Sequence, residues 1–156
     1  MQRLFPDNRF VPPKMPRNGK DLVRLVTAEA PGQEEQERGE PLVGGSGHVF
    51  DKLCKAAGID RDGLTITNCL SCRPPSNIFP TDAAARSYIS KADAETAVKQ
   101  CIRNHVLPVL KSRAWNRIDM LGDKALYWLT GRHGILQWRG SPVEINTEEI
   151  EARVKE

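Results

Sequence analysis

No apolar run in this chain approaches the roughly 20 residues that a membrane span requires, and its N-terminus has no apolar signal-peptide core. Both absences set the expectation of a cytoplasmic protein with no membrane partner. No Gly-Lys-Ser or Gly-Lys-Thr follows the glycine-rich turn Gly44-Gly45-Ser46-Gly47, which excludes a Walker-type nucleotide loop. There are only four cysteines, at 54, 69, 72 and 101, and the CxxC spacing of Cys69 and Cys72 has no second close pair to complete a zinc site. In a reducing compartment the four read as thiols or metal ligands rather than as a disulfide framework. Cys54 falls on the apolar face of a helix and Cys69 inside an apolar strand, as small core residues do. No internal repeat is present. At 156 residues the chain fits one domain with a real core, and a net charge of +3 is compatible with nucleic acid without arguing for it.

What the chain does have is concentrated between Leu22 and Gly47. Leu22 to Thr27 is a short branched run suited to a buried strand, and Pro31-Gly32 forces the chain to turn after it. In an α/β sheet ligands sit beyond the carboxyl ends of strands, so Glu29, Glu34 and Glu35 occupy the place where acid/base or polar recognition groups are wanted. A solvated acidic loop satisfies the same pattern. The following segment has apolar positions 49, 50, 53, 54 and 57 at helical spacing, with Ser46 as candidate N-cap and Gly58 as stop. Free amides at such a glycine-rich start suit a phosphate, and a plain tight turn into a helix reads equally well.

The remaining segments follow in α/β order. Residues 1–20 hold four prolines and several basic residues and read as an arm, either touching DNA phosphates or disordered; residues 21–156 form the domain. Gly63 to Leu70 is β-prone and ends at Pro74-Pro75. Asn68 offers two donors and an acceptor suited to the imide edge of a pyrimidine, or it ties down a loop. Arg73, at a strand end beside a rigid turn, is placed to meet a phosphate. Asp82 to Leu107 reads as helical, with Pro108 ending or restarting the helix and with Cys101 and His105 on one face, as ligands or as core groups. Ile118 to Leu121 reads as a strand, then a helix to Gly131, candidate strands at Ile135 to Arg139 and Val143 to Ile145, and a charged terminal helix. This alternation predicts a three-layer α/β/α fold around a mostly parallel four-stranded sheet.

Five motifs in order carry a resemblance. They are Ala28-Glu29-Ala30-Pro31-Gly32-Gln33-Glu34-Glu35, Gly39-Glu40-Pro41-Leu42-Val43-Gly44, Thr67-Asn68 through Cys72-Arg73-Pro74-Pro75-Ser76-Asn77, Leu121-Gly122-Asp123-Lys124-Ala125, and Trp138-Arg139-Gly140-Ser141-Pro142. Together, over about Leu22 to Val143, the sequence resembles the uracil-DNA glycosylase superfamily, especially family-four and related phage-type members. The resemblance implies a pocket for a uracil flipped out of single- or double-stranded DNA, base excision by N-glycosidic hydrolysis, and a monomer. It implies that Glu29, Ala30 and Glu35 polarise or position the attacking water and that Leu42 and Asn68 contact uracil. Gly44, Ser46, Gly47, Arg73, Pro74 and Arg139 would hold DNA phosphates.

The departures are as specific as the matches. Leu42 stands where the family has a uracil-stacking phenylalanine, Gln36 where it commonly has Asp, and Ala30 supplies only backbone groups. The family often carries an iron–sulfur cluster. Cys72 and Cys101 match two of its ligands, but residues 1–20 have no counterpart of its N-terminal CxxC, so the ligand set is incomplete and no cofactor is expected. No histidine follows His133, whereas the family has a late His-Pro-Ser type motif. Two readings follow: a glycosylase, as a fragment or a diverged member, or a non-catalytic DNA- or pyrimidine-binding module on the same scaffold.

Overall fold

Leu25, Val26, Thr27 and Ala28 are all buried, which marks their strand as the centre of a sheet covered on both sides. The structure, a computed structural model, describes residues 8–155. In chain order it contains β1 (Arg24–Ala28), α1 (Gln33–Arg38), α2 (Gly45–Ala56), β2 (Leu64–Asn68) and α3 (Lys91–Cys101). After these come α4 (Leu107–Lys111), β3 (Arg117–Met120), α5 (Asp123–Thr130), α6 (Ile135–Trp138) and α7 (Thr147–Val154). The strands are parallel in the order β2-β1-β3, with Ala28 opposite Asn68 at the carboxyl end.

Alternation along β1 divides the core. Leu25 packs with Val98, Ile102, Leu129, Ile150 and Val154 from the helices α3, α5 and α7 and the turn after α3. Val26 and Ala28 pack instead with Leu42, Cys54, Leu64 and Ile66, beside α2. The charged terminal helix α7 therefore serves the core, since Ile150 and Val154 on one of its faces are fully buried.

Among the described residues the sheet has three strands, not the expected four. Ile135–Trp138 is a short helix because the Asp123 carboxylate accepts from the backbone N–H of Gly134 (2.9 Å) and Ile135 (3.0 Å), taking donors that a ladder would need. Residues 143–145 pair with nothing, following the Gly140-Ser141-Pro142 turn in which proline removes a donor. The helix expected from Asp82 starts at Lys91, where the Ser90 hydroxyl accepts from Asp93 N–H at 3.1 Å; Ala83–Ser87 is a 3-10 turn. Pro108, expected to end or restart that helix, lies in the first turn of α4 and so restarts it. Ile102–Val106 opens into a π turn, which relieves the clash between a proline ring and the carbonyl four residues earlier and lets α4 continue the rod. The start of α2 also shifts: Gly44 rather than Ser46 is the cap, its carbonyl accepting from His48 N–H at 2.9 Å.

The described part of the basic arm lies along β2. Lys14 exchanges both backbone hydrogen bonds with Ile66 (2.8 and 2.9 Å), and Val11 N–H donates to the Ser71 carbonyl at 2.7 Å. This covers the free edge of the sheet. The Lys14 side chain is 5% exposed, and its Nζ donates to the carbonyls of Arg61 (2.8 Å), Leu64 (3.0 Å) and Asp62 (3.4 Å). Burial lowers its pKa, but the three carbonyls give the ammonium partners. Lys14→Ala, which strips those acceptors of their donor, is expected to cost about 1–3 kcal/mol in urea denaturation.

Candidate active site

The turn at Pro31-Gly32 and the glycine-rich turn before α2 bring two loops over the carboxyl ends of β1 and β2. Between them lies an open pocket of about 740 Å³. Its wall includes Glu29, Ala30, Glu34 and Glu35 after β1, and Leu42, Gly44 and Ser46 from the glycine-rich turn. Asn68 at the end of β2 and Pro74 beyond it close the other side. Of the residues singled out from sequence, Gly47, Arg73, Arg139, Cys72 and Cys101 do not line it.

The two carboxylates expected to share one role are held differently. Glu35 is 7% exposed and both its oxygens are occupied: Oε2 accepts from Gly32 N–H at 3.1 Å and Oε1 from Gly44 N–H at 2.9 Å. It ties the loop after β1 to the turn before α2. Glu29 is less enclosed; its Oε1 accepts from Lys124 N–H at 3.2 Å, in the first turn of α5, where the helix dipole favours an anion. Gly122, with φ of 95°, packs so closely that an added Cβ would stand 2.3 Å from that oxygen.

Asn68 is buried at 5% exposure, and its side-chain amide bonds to no other described residue. A buried amide at the pocket wall therefore has its donors and acceptor unspent on protein groups. Leu42 is 7% exposed and adopts φ of 54°. Arg73 lies just outside the pocket, its Nε donating to Asn77 Oδ1 at 2.7 Å, and Ser76 and Asn77 both take left-handed φ values. Arg139 ends α6, away from the wall.

Sequence reasoning missed two wall residues, Phe79 and Asn77. Phe79 is 4% exposed, with Lys124 Nζ 5.5 Å from its ring centre. It supplies an aromatic side chain to the pocket wall, which Leu42 also lines. The signal was its place just past the Pro74-Pro75 turn.

The thiols do not fit a four-thiolate cluster. Cys72 and Cys101 are both buried, and burial pushes both thiols up. Ser71 N–H donates to Cys101 Sγ at 3.1 Å. Cys69 is fully enclosed in the core with its thiol pushed far up by burial, and Cys54 packs in the cluster on the other side of β1. Among the described residues no three His, Cys, Asp or Glu side chains are grouped to hold a metal. His105 is half-buried beside Phe10, ring centres 4.9 Å apart, as a packing group.

The sequence profile of the uracil DNA glycosylase superfamily matches residues 17–148. This chain belongs to the uracil-DNA glycosylase superfamily. A Type-4 uracil-DNA glycosylase of Pyrobaculum aerophilum is 31% identical over 108 residues, covering 69% of this chain and 50% of that protein. The Type-4 enzyme of Thermotoga maritima is 34% identical over 118 residues, 67% of this chain and 61% of its own length. That of Archaeoglobus fulgidus is 40% identical over 68 residues, 43% of this chain and 34% of its own. The chain thus spans about half the length of the first of these relatives. Every superfamily motif identified in the sequence lies within the matched residues.

Because Glu35 uses both oxygens, Glu35→Gln turns an amide donor toward one of two backbone donors. Denaturation should show a loss of about 1–3 kcal/mol. Glu29→Gln, which keeps an acceptor for Lys124 N–H, is expected to change stability by less than about 1 kcal/mol.

Proposed function

We propose that the chain binds uracil-containing DNA and cleaves the N-glycosidic bond of a uracil flipped into the pocket. The observation that carries this reading is Asn68, a buried amide with no protein partner at the carboxyl end of β2. Its carbonyl can accept from the uracil imide N–H while its NH2 donates to the adjacent carbonyl, a pairing that cytosine does not complement. Leu42 and Phe79 supply apolar walls for the base, and Glu29, on the adjacent loop, supplies negative charge where positive charge develops on the sugar. Glu29 and the backbone of Ala30 position the attacking water, while Glu35 fixes the loop that carries them. Gly44, Ser46 and Gly47 at the start of α2, with Arg73, Pro74 and Arg139, meet the DNA backbone.

The same pocket predicts slow chemistry. Among the described residues, no lysine, arginine or histidine lines it, and three glutamates do. The departing uracil anion is left with the Asn68 amide and backbone donors. Lacking one preorganised donor to a developing oxyanion typically costs about 2.7–4 kcal/mol, roughly a hundred- to thousandfold in rate. This observation also favours the second reading, a module that binds uracil or DNA without turnover. Single-turnover measurement of abasic-site formation separates the two. The expected result is weak excision that Glu29→Gln abolishes, with binding that falls steeply as salt is raised; fast excision by this chain alone would refute the predicted donor deficit. Asn68→Ala should lose uracil discrimination while remaining folded.

The fold reads as three layers, with α2 on one side of the sheet and α3, α5 and α7 on the other. The protein is proposed to act as a cytoplasmic monomer on DNA; among the described residues no helix is long and apolar enough to cross a membrane. No complete iron–sulfur cluster is proposed, because the thiols lie on both sides of the sheet. Anaerobically purified protein with a visible charge-transfer band and about four irons per chain would overturn that.

A further inference from the structure

Leu42 faces an unusual constraint for a pocket residue. Its φ of 54° lies in the left-handed region, where an L residue with a side chain is disfavoured. Nothing in its own sequence demands that conformation. Its carbonyl is also wedged against α2: an added Cβ at Gly47 would stand 2.0 Å from the Leu42 oxygen. Something must hold this carbonyl in place, and one side chain outside the pocket reaches it. Arg61 Nη2 donates to the Leu42 carbonyl at 2.5 Å and to the Pro41 carbonyl at 3.3 Å.

We propose that Arg61 is a positioning residue for uracil recognition, holding Leu42 in its left-handed conformation as the apolar wall of the pocket. This rests on the uracil-binding reading above. Arg61 is not among the pocket-lining residues, so it acts through Leu42. Its own placement is fixed from three directions. Nη1 pairs with Asp51, the guanidinium lies 5.7 Å from the Phe50 ring centre, and the Arg61 carbonyl accepts from buried Lys14 Nζ. Asp51 and Phe50 belong to α2, and Arg61 opens the 3-10 turn that leads into β2. One guanidinium therefore ties the Leu42 wall and the start of α2 to the strand whose last residue is Asn68. Only arginine can make this set of contacts, because a planar fork engages two carbonyls and a carboxylate at once, whereas a lysine ammonium on a shorter reach cannot span them.

Three variants test this: Arg61→Ala, Arg61→Lys, and Leu42→Gly, which removes the cost of the left-handed backbone. The backbone chemical shifts of Leu42 in the free protein are read by NMR, and affinity is compared for single-stranded oligonucleotides with and without one uracil. In Arg61→Ala the Leu42 shifts should leave their left-handed values, and the preference for the uracil strand should fall about tenfold. Arg61→Lys should show the same loss while keeping charge, which serves as the test should the alanine variant fail to fold. Adding Arg61→Ala to Leu42→Gly should produce little further loss of preference. Unchanged Leu42 shifts in a folded Arg61 variant, or losses that simply add, would overturn the proposal. Absence of any uracil preference in the unaltered protein would instead refute the functional reading, and the Leu42 shifts would still judge Arg61.

Discussion

The carboxylate of Glu35 organises the binding face of this molecule. Two loops separated in sequence by the whole of α1 meet over the ends of β1 and β2, and each brings a backbone N–H that the interior must satisfy. A single buried carboxylate accepts both, at 3.1 Å from Gly32 and 2.9 Å from Gly44. Charge-assisted bonds of this kind are stronger than neutral ones, and together they offset the cost of burying the anion. Their partners are glycines for a reason. A Cβ at Gly32 would stand 2.8 Å from the carboxylate and one at Gly44 would stand 3.0 Å from it. The distance between Glu29 on one loop and Ser46 on the other is thus set by a residue whose own chemistry is fully engaged.

Charge is partitioned around the pocket. The wall carries carboxylates, while the basic residues that give the chain its net charge of +3 lie outside it. Negative potential is thus concentrated at the pocket and positive potential on the surface around it. Many of the outer cations are already paired, as in Arg17–Glu40 at 2.5 Å and Arg113–Asp21 at 2.5 Å. Exposed pairs of this sort contribute little stability and can be exchanged for phosphate contacts.

Departures from family pattern are absorbed by packing rather than left open. Leu42 stands where the resemblance implied an aromatic ring, and Phe79 brings one to the same pocket from another segment. The two cysteines that match family ligands, Cys72 and Cys101, are enclosed, with Ser71 N–H bonded to Cys101 and the Phe10 backbone bridged to Cys72. The arm that lacks the remaining cysteines covers the edge of β2 instead, through Lys14 and Ile66.

Local pattern was enough for β1, β2, β3, α2 and α5, because each has a run or period that only one element satisfies. It was enough too for the pocket loops, since proline and glycine after an apolar run dictate a turn whatever surrounds it. It failed where distant groups compete for the same backbone donors. Ile135 to Arg139 has the composition of a strand, and Asp123 caps it as a helix by taking the amides of Gly134 and Ile135. At Pro108 sequence allowed either an end or a restart, and a π turn packed through Ile102 and Val106 leads into the restart as α4. Sequence alone therefore determined the family, the α/β class with a parallel sheet, and the turns that follow β1 and precede α2. Only the tertiary structure decided that Glu35 is a tie while Glu29 is less enclosed, and that Asn68 keeps its amide free. Which hydrogen-bonding groups remain unspent depends on partners brought together across the fold, and no local spacing records them.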